Sequence, residues 1–202
     1  MFSIGLTGGI ASGKSTLAIL LSNLIPLVHF DADTAVHDLL ANDPEVKQQL
    51  VKAFGENVLT RTEEIDRAFL RENVFASLTK KTILEGILHP MVRKKWRELQ
   101  EELRARQERI IFLADIPLLY ETESEQYFDE VVVVACGRDH QMQRLAARGL
   151  SPQMAIRIIE AQWPTEKKCA AASRVIWNDG SPTCLQAQAT LLSQKWIDHY
   201  GN

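Results

Sequence analysis

The chain has 202 residues, of which 46% are hydrophobic and 24% are charged, and its formal net charge at pH 7 is −3. This length suits one compact core with an inserted subdomain, and the charge gives no basic footprint for nucleic acid. No apolar run approaches the roughly 18 to 20 residues that span a bilayer, and the first residues do not resemble a signal peptide. We therefore expect a cytoplasmic protein that binds neither nucleic acid nor membranes.

Five short apolar runs are typical of buried parallel strands. They span residues 2–6, 26–30, 109–114, 130–136 and 174–178. Helical patterns separate these runs, which indicates an α/β fold with a parallel five-stranded sheet and helices on both of its faces. The last helical pattern carries one apolar stripe at spacings of four, three and four residues, formed by Leu185, Ala189, Leu192 and Trp196.

Two longer helical regions interrupt this alternation. Residues 35–107 follow the second strand and indicate a helical insertion, whose last helix we expect to begin at Pro90, a favoured first helical position. Residues 139–171 follow the fourth strand, and there Gly149 is expected to end one helix and Ser151 to cap the next. The rest of the chain is expected to form the core, from residues 1–34, 108–138 and 172–202.

The segment GLTGGIASGKST, residues 5–16, matches the phosphate-binding pattern G-x-x-x-x-G-K-[ST]. Glycines at Gly8 and Gly13 let the backbone wrap around a phosphate with its N–H groups pointing inward. Lys14 is expected to reach the β and γ phosphates, and the Ser15 hydroxyl to reach Mg²⁺. Because the motif lies between a predicted strand and a predicted amphipathic helix, the sequence predicts a nucleoside triphosphate site.

Carboxylates follow two of the predicted strands. Asp31 and Asp33, in DAD, come after the second strand, and Asp115, in DIPLLYE, closes the third. The carboxyl ends of parallel strands face one crevice, so Asp31 or Asp33 is a candidate proton acceptor or magnesium ligand. The alternative for Asp33 is that it caps the following helix. Asp115 is a candidate for holding the metal, directly or through water, or else marks a simple strand exit.

Arg144 and Arg148 lie four residues apart, on one face of the helix predicted after the fourth strand. In a mobile lid their guanidinium groups would close over the phosphates and stabilise the transferring charge. The alternative is that both arginines lie on a solvated helix surface.

These motifs resemble those of dephospho-coenzyme A kinases, in the same order and over nearly the whole chain. The resemblance also includes ILHP, and RLAARGLSPQMAIRIIEAQ followed by VIWNDGS. The resemblance implies a P-loop NTPase core, a helical acceptor-binding domain at 35–107 and a helical lid at 139–171. It implies Mg²⁺-dependent transfer of the ATP γ-phosphoryl group to the 3′-hydroxyl of the dephospho-coenzyme A ribose. Another small-molecule kinase, a nucleotide-binding module and a GTP-dependent switch are the alternatives, although the N-K-x-D element of a switch is missing. We expect a monomer.

The resemblance also implies roles for individual residues. The catalytic residues would be Asp33 as the base, Lys14 and Arg144. ATP would contact Gly8, Ala11, Ser12, Gly13, Lys14, Ser15, Thr16 and Arg148. The acceptor would contact Asp31, Arg67, His89, Pro90, Arg93, Pro117, Leu118 and Leu119. The metal would be held by Ser15 and Asp115.

Some of these assignments have a structural alternative. The pair His89-Pro90 also suits a helix break with a capping histidine, and Arg93 also suits a solvated basic helix face. Ala11 departs from the family pattern, in which this position is usually glycine. Alanine is small enough to be tolerated if this position does not need a positive φ.

Overall fold

The computed structural model describes residues 1–106 and 109–200, without the side chains of residues 75 and 76. Contacts divide the chain into two units, of which unit 1 comprises Met1–Asp31 with Gln100–Asn202 and unit 2 comprises Ala32–Leu99. The predicted boundary between residues 107 and 108 and the last two residues of the predicted core, 201 and 202, lie outside the described residues. The separation of a lid from the core stays a prediction.

Unit 1 contains one parallel five-stranded sheet with the order β2-β3-β1-β4-β5. The strands are β1 (Phe2–Gly8), β2 (Val28–Asp31), β3 (Ile111–Asp115), β4 (Glu130–Ala135) and β5 (Arg174–Trp177). The predicted α/β fold is therefore confirmed. Three strands end later than predicted: β1 ends at Gly8, and β2 and β3 end at Asp31 and Asp115, which lie opposite each other in the ladder.

The helices of the described residues follow in chain order. They are α1 (Lys14–Leu24), α2 (Ala32–Asn42), α3 (Pro44–Phe54), α4 (Arg67–Ala76), α5 (Leu78–Ala105), α6 (Arg138–Ala147), α7 (Pro152–Glu160), α8 (Thr165–Ala171) and α9 (Pro182–Tyr200). In this part of the chain no helix combines the length and the hydropathy that a membrane span requires.

The main core of unit 1 packs α1 and α9 against the central strands. The predicted stripe of α9 is confirmed, because all four of its residues are at most 3% exposed and belong to one cluster with Ile4, Leu6 and Leu17. Full burial of each large apolar side chain contributes about 1.5 to 3 kcal/mol. This packing fixes the carboxyl end of β1 and the start of α1, between which the glycine-rich segment lies.

After β4, α6 ends and α7 begins where the sequence predicts. Gly149 has a φ of +81° just beyond the end of α6, where glycine meets no steric penalty. The hydroxyl of Ser151 accepts a hydrogen bond from the Met154 backbone N–H, with Pro152 in the first turn of α7. Both predictions for these residues are confirmed.

Unit 2 is helical, but its last helix does not begin at Pro90. α5 begins at Leu78, so Pro90 lies inside a helix of 28 residues. An internal proline removes one backbone N–H, here the donor to the Gly86 carbonyl, and costs about 3 kcal/mol. Burial of Leu88, Val92 and Trp96 offsets this cost, because the apolar face continues across the proline. The prediction of a helix start, and with it the idea of a helix break at His89-Pro90, is wrong.

Candidate phosphate-binding site

The glycine-rich segment connects β1 to α1 and leaves the N-terminal end of α1 open. Gly13 precedes the helix in a left-handed conformation, with φ of +101°, and no side chain caps the helix within the described residues. Ser15 and Thr16 are exposed in the first turn. The first N–H groups of a helix lack partners inside the helix and carry a partial positive charge. This end of α1 is therefore suited to an anion.

Two glycines of the motif are required by close packing. A Cβ at Gly8 would collide with the carbonyl oxygen of Val134 in β4, and a Cβ at Gly13 would collide with the Asn178 side-chain amide. From the sequence, these glycines are predicted to let the backbone wrap around a phosphate. The structure adds that the loop also packs against its neighbours at both positions.

Ala11 also adopts a left-handed conformation, with φ of +59°. The condition under which alanine is easily tolerated, a position without a positive φ, is therefore not met. A left-handed conformation costs a non-glycine residue about 1 to 2 kcal/mol, because Cβ approaches the following carbonyl oxygen. Ala11 is buried, so the surrounding structure must hold it in this conformation.

The guanidinium group of Arg144 supplies such a restraint. Its Nη1 donates to the carbonyl oxygens of Ala11 and Ser12, at 3.0 and 3.2 Å, and its Nη2 donates to the Asn178 carbonyl at 2.8 Å. A planar fork with several N–H donors suits three carbonyls better than an ammonium does. Arg148, the other predicted arginine, is exposed at the end of α6.

Two glutamines hold the neighbouring peptide of the loop. Gln141 of α6 donates to the Ile10 carbonyl at 2.9 Å, and Gln162 accepts from the Ile10 N–H at 2.9 Å. The Asn178 side chain donates to the Ser12 carbonyl at 2.7 Å. These three residues were not predicted as individual site residues. Gln162 and Asn178 lie within the quoted motifs, but nothing in the sequence indicates the partners of these three residues, which lie more than 130 positions away along the chain.

Charged groups gather at the carboxyl ends of β2 and β3. Lys14 Nζ lies 3.6 Å from Asp115 Oδ1, with side chains 13% and 5% exposed. Asp31, Asp115 and His29 each offer one potential ligand atom, and these atoms lie within 4.8 Å of one another. Sequence reasoning missed His29, although its position two residues before Asp31 puts both on one face of the strand. The oxygen donors of Asp115, Asp31 and Ser15 are of the kind that Mg²⁺ prefers.

The segment after β3 contains three of the predicted acceptor residues. Pro117 and Leu118 are half-buried, whereas Leu119 is fully buried beside Gly5. The Pro117 carbonyl accepts a hydrogen bond from the Thr7 hydroxyl at 3.1 Å. The side chain of Leu119 therefore belongs to the core of unit 1, while Pro117 and Leu118 remain accessible.

A buried ion pair, which the sequence did not indicate, follows this segment. Lys168 of α8 is fully buried, and its Nζ lies 2.9 Å from Glu121 Oε1. Burial lowers the pKa of the Lys168 ammonium, and the hydrogen bond to Glu121 opposes that shift. Burial also raises the pKa of the adjacent Tyr120 hydroxyl to about 12. In the sequence, Lys168 is one of two adjacent lysines in a short polar helix, so nothing separates it from surface residues.

Unit 2 carries the remaining predicted residues. Asp33 is exposed in the first turn of α2, which begins at Ala32, so Asp33 is not the residue that caps this helix. Arg67 is exposed and donates to the His37 carbonyl at 3.0 Å.

His89 and Arg93 also lie in unit 2, four residues apart on one face of α5, and both are half-buried. Burial lowers the pKa of His89. The predicted acceptor pair His89-Pro90 is therefore part of a continuous helix, one turn before Arg93.

A parallel sheet with a glycine-rich loop between β1 and α1, and with a lysine at the start of α1, defines a P-loop nucleotide-binding protein. The shikimate kinase of Aquifex aeolicus shares this fold, with a TM-score of 0.52 at 17% identity over 99% of this chain and 100% of that one.

The family model of the dephospho-CoA kinases matches residues 2–183. The dephospho-CoA kinase of Carboxydothermus hydrogenoformans is 41% identical over 194 residues, which cover 96% of this chain and 93% of that protein. The solved dephospho-CoA kinase of Campylobacter jejuni has a TM-score of 0.70 at 27% identity, over 96% of each chain. The chain therefore belongs to the dephospho-CoA kinase family.

Proposed function

We propose that this protein transfers the γ-phosphoryl group of ATP to the 3′-hydroxyl of the dephospho-coenzyme A ribose, which yields coenzyme A and ADP. Family membership over residues 2–183 names the reaction. The single structural observation that carries the proposal is the open N-terminal end of α1, with Lys14 held beside Asp115. Phosphoryl transfer needs positioning and charge stabilisation more than covalent chemistry from the protein, and this end of α1 offers both.

The phosphates of ATP are proposed to lie on the segment from Ala11 to Thr16. Side chains of α6 bind the carbonyls of Ile10, Ala11 and Ser12, at the start of this segment. A loop that is already shaped when ATP arrives loses less conformational entropy on binding. Lys14 then neutralises charge on the phosphates, and Gly8 gives the close packing that the loop requires.

Mg²⁺ is proposed to bind the Ser15 hydroxyl and the Asp115 carboxylate, directly or through water. When bound, the ion neutralises charge on the β and γ phosphates and helps to align the transfer. Asp115 also orients Lys14, because the two side chains form an ion pair in a mostly buried setting. Asp31 shares this edge of the sheet and is proposed to support the acceptor.

Asp33 is proposed as the base that accepts the proton of the attacking hydroxyl. Its side chain is exposed in the first turn of α2, so a substrate can reach it. A carboxylate placed within hydrogen-bond reach of a hydroxyl can contribute to catalysis by accepting its proton in the transition state. Residues 139–171, with Arg144 and Arg148, are proposed to form the lid that covers the phosphates and excludes water.

The acceptor site is proposed to use the remaining predicted residues. Arg67 and Arg93 supply cations for the anionic groups of dephospho-coenzyme A, and Pro117 and Leu118 supply partly exposed apolar contacts. His89 and Pro90 are proposed to contribute to the same site, and Leu119 to support Pro117 and Leu118 from within the core. We further propose a cytoplasmic monomer whose partners are these two small molecules.

The experiment that tests this function measures ADP release from ATP in the presence of Mg²⁺ and one added acceptor. The acceptors are dephospho-coenzyme A, adenosine, AMP and shikimate, each at the same concentration. Selective turnover of dephospho-coenzyme A is expected. Selective turnover of another acceptor would replace the substrate but keep the kinase, and ATP binding without any turnover would contradict the kinase assignment.

A further inference from the structure

Lys168 is a fully buried lysine that the proposed mechanism does not use. Its Nζ donates to Glu121 Oε1 and to the Pro117 carbonyl oxygen, at 2.9 and 3.2 Å. Burial of an ammonium lowers stability unless hydrogen bonds compensate for the lost hydration. A well-packed apolar residue of similar size often stabilises a protein at least as much as a buried charge does. A charged residue at such a position therefore calls for a role beyond packing.

The Lys168–Glu121 pair is the centre of a contact between two segments of unit 1. Glu121 Oε1 also accepts a hydrogen bond from the Trp163 backbone N–H at 2.7 Å. The ring of Tyr120 stacks on the ring of Trp163, with centroids 5.5 Å apart and planes 6° from parallel. Residues 116–121, which follow β3, are thereby tied to the segment that leads into α8.

The first of these segments begins directly after Asp115. Two donors converge on the Pro117 carbonyl, because the Thr7 hydroxyl reaches it from β1 at 3.1 Å and Lys168 reaches it from α8 at 3.2 Å. Asp115 itself is 3.6 Å from the Lys14 ammonium. Pro117 is only two residues beyond Asp115, so a displacement of Pro117 would also displace the carboxylate that orients Lys14.

We propose that Lys168 is a positioning residue for phosphoryl transfer, whose buried ammonium bridges Glu121 and the Pro117 carbonyl and thereby fixes Asp115 relative to Lys14. This inference rests on the proposed function of the site. Lys168 acts through Pro117 and Asp115 and does not contact the reacting atoms. Its lowered pKa agrees with an ammonium enclosed by protein and close to a second lysine.

The test compares variants at Lys168 with one surface lysine. Lys168→Met removes the ammonium and keeps an unbranched side chain that is only one atom shorter. Lys168→Arg keeps the charge and N–H donors, and Lys195→Met makes the first change at an exposed position of α9. For each variant, kcat and the KM for both substrates are measured well below its melting temperature and are corrected for the folded fraction. ATP affinity is measured separately in the absence of acceptor.

For Lys168→Met we expect kcat to fall about 10- to 100-fold, because small displacements of catalytic groups are enough for such a loss. ATP affinity should change much less, and Lys168→Arg should recover part of kcat. A purely structural role would lower the melting temperature while leaving the kcat of the folded protein at the level of Lys195→Met. That result would overturn the inference.

The double variant Lys168→Met with Glu121→Gln covers the case in which Lys168→Met does not fold. It removes both buried charges, while the amide oxygen still accepts the Trp163 N–H. The same loss of kcat is expected, and wild-type kcat in the folded double variant would overturn the inference. Failure of the wild-type protein to phosphorylate dephospho-coenzyme A would instead overturn the proposed function, so the two failures are distinguishable.

Discussion

Replacement of Arg144 by lysine separates two roles for this residue. The structure places its guanidinium on three backbone carbonyls, two of them in the phosphate loop. If Arg144 contacted only the ATP phosphates, its replacement would leave the stability of the nucleotide-free protein unchanged. A residue that holds the loop contributes to stability before any nucleotide binds. Arg144→Lys keeps the charge and changes only the fork of donors.

The size of the effect follows from the number of hydrogen bonds. Arg144 uses two nitrogens for its three bonds, whereas lysine offers one nitrogen on a shorter side chain, so we expect two of the bonds to be lost. A hydrogen bond that involves a charged group contributes about 1.5 kcal/mol or more, so the free energy of unfolding should fall by about 3 kcal/mol. At about 2 to 4 °C for each kcal/mol in a chain of this size, the melting temperature should fall by roughly 6 to 12 °C.

The assay is thermal unfolding of the nucleotide-free protein, followed by titration with ATP. The matched control is Arg157→Lys, the same substitution at an exposed position of α7. Besides the lower melting temperature, we expect ATP affinity to fall about tenfold, because the loop is no longer held in its binding conformation. A melting temperature equal to that of Arg157→Lys, with unchanged ATP affinity, would refute the positioning role of Arg144.

Three further substitutions test the site. Lys14→Met should lower kcat/KM about 10²- to 10³-fold in the ADP-release assay, because the ammonium no longer neutralises phosphate charge; an unchanged kcat/KM would contradict the loop assignment. Gly13→Ala should cost at least about 1 to 2 kcal/mol in denaturant unfolding, because φ is +101° and Cβ would meet Asn178; wild-type stability would contradict the loop geometry. Asp33→Asn should lower kcat about 10²-fold or more while ATP affinity is kept, and near-wild-type turnover would exclude Asp33 as the base.

Local patterns of the sequence were sufficient for the sheet and for the phosphate loop. The apolar stripe of α9 could be predicted because burial imposes a helical period on its residues. The motif around Gly13 and Lys14 could be predicted because phosphate binding restricts residue types at fixed spacing. The strands needed only their continuous apolar character, and their C-terminal ends were misplaced by two residues at Gly8 and by one residue at Asp31 and at Asp115.

At Pro90 a prediction failed, and at Ala11 a condition was not met, because tertiary structure outweighed local preference. Pro90 suggests a helix start on its own, but the buried face of α5 extends on both sides of it and offsets the lost hydrogen bond. Ala11 suggests an ordinary backbone conformation, yet the loop holds it at φ of +59°. An alanine does not reveal a positive φ in the way that a glycine does, so only the structure shows it.

The residues that sequence reasoning missed share a different property. Gln141, Gln162 and Lys168 each bind a partner that is distant along the chain, and no spacing within a motif indicates that partner. Their residue types are common on the surfaces of helices. Contacts of this kind depend on how α6, α7 and α8 pack onto the sheet, which single-sequence patterns do not specify.

The most direct test of the proposed function is identification of the product that the wild-type protein forms from ATP, Mg²⁺ and dephospho-coenzyme A. Mass spectrometry would show whether one phosphoryl group is added, and phosphorus NMR would show which oxygen carries it. We expect coenzyme A, phosphorylated at the 3′-oxygen of the ribose, with an equal amount of ADP. ADP formation without a phosphorylated acceptor, or a phosphoryl group on another oxygen, would contradict the proposed reaction.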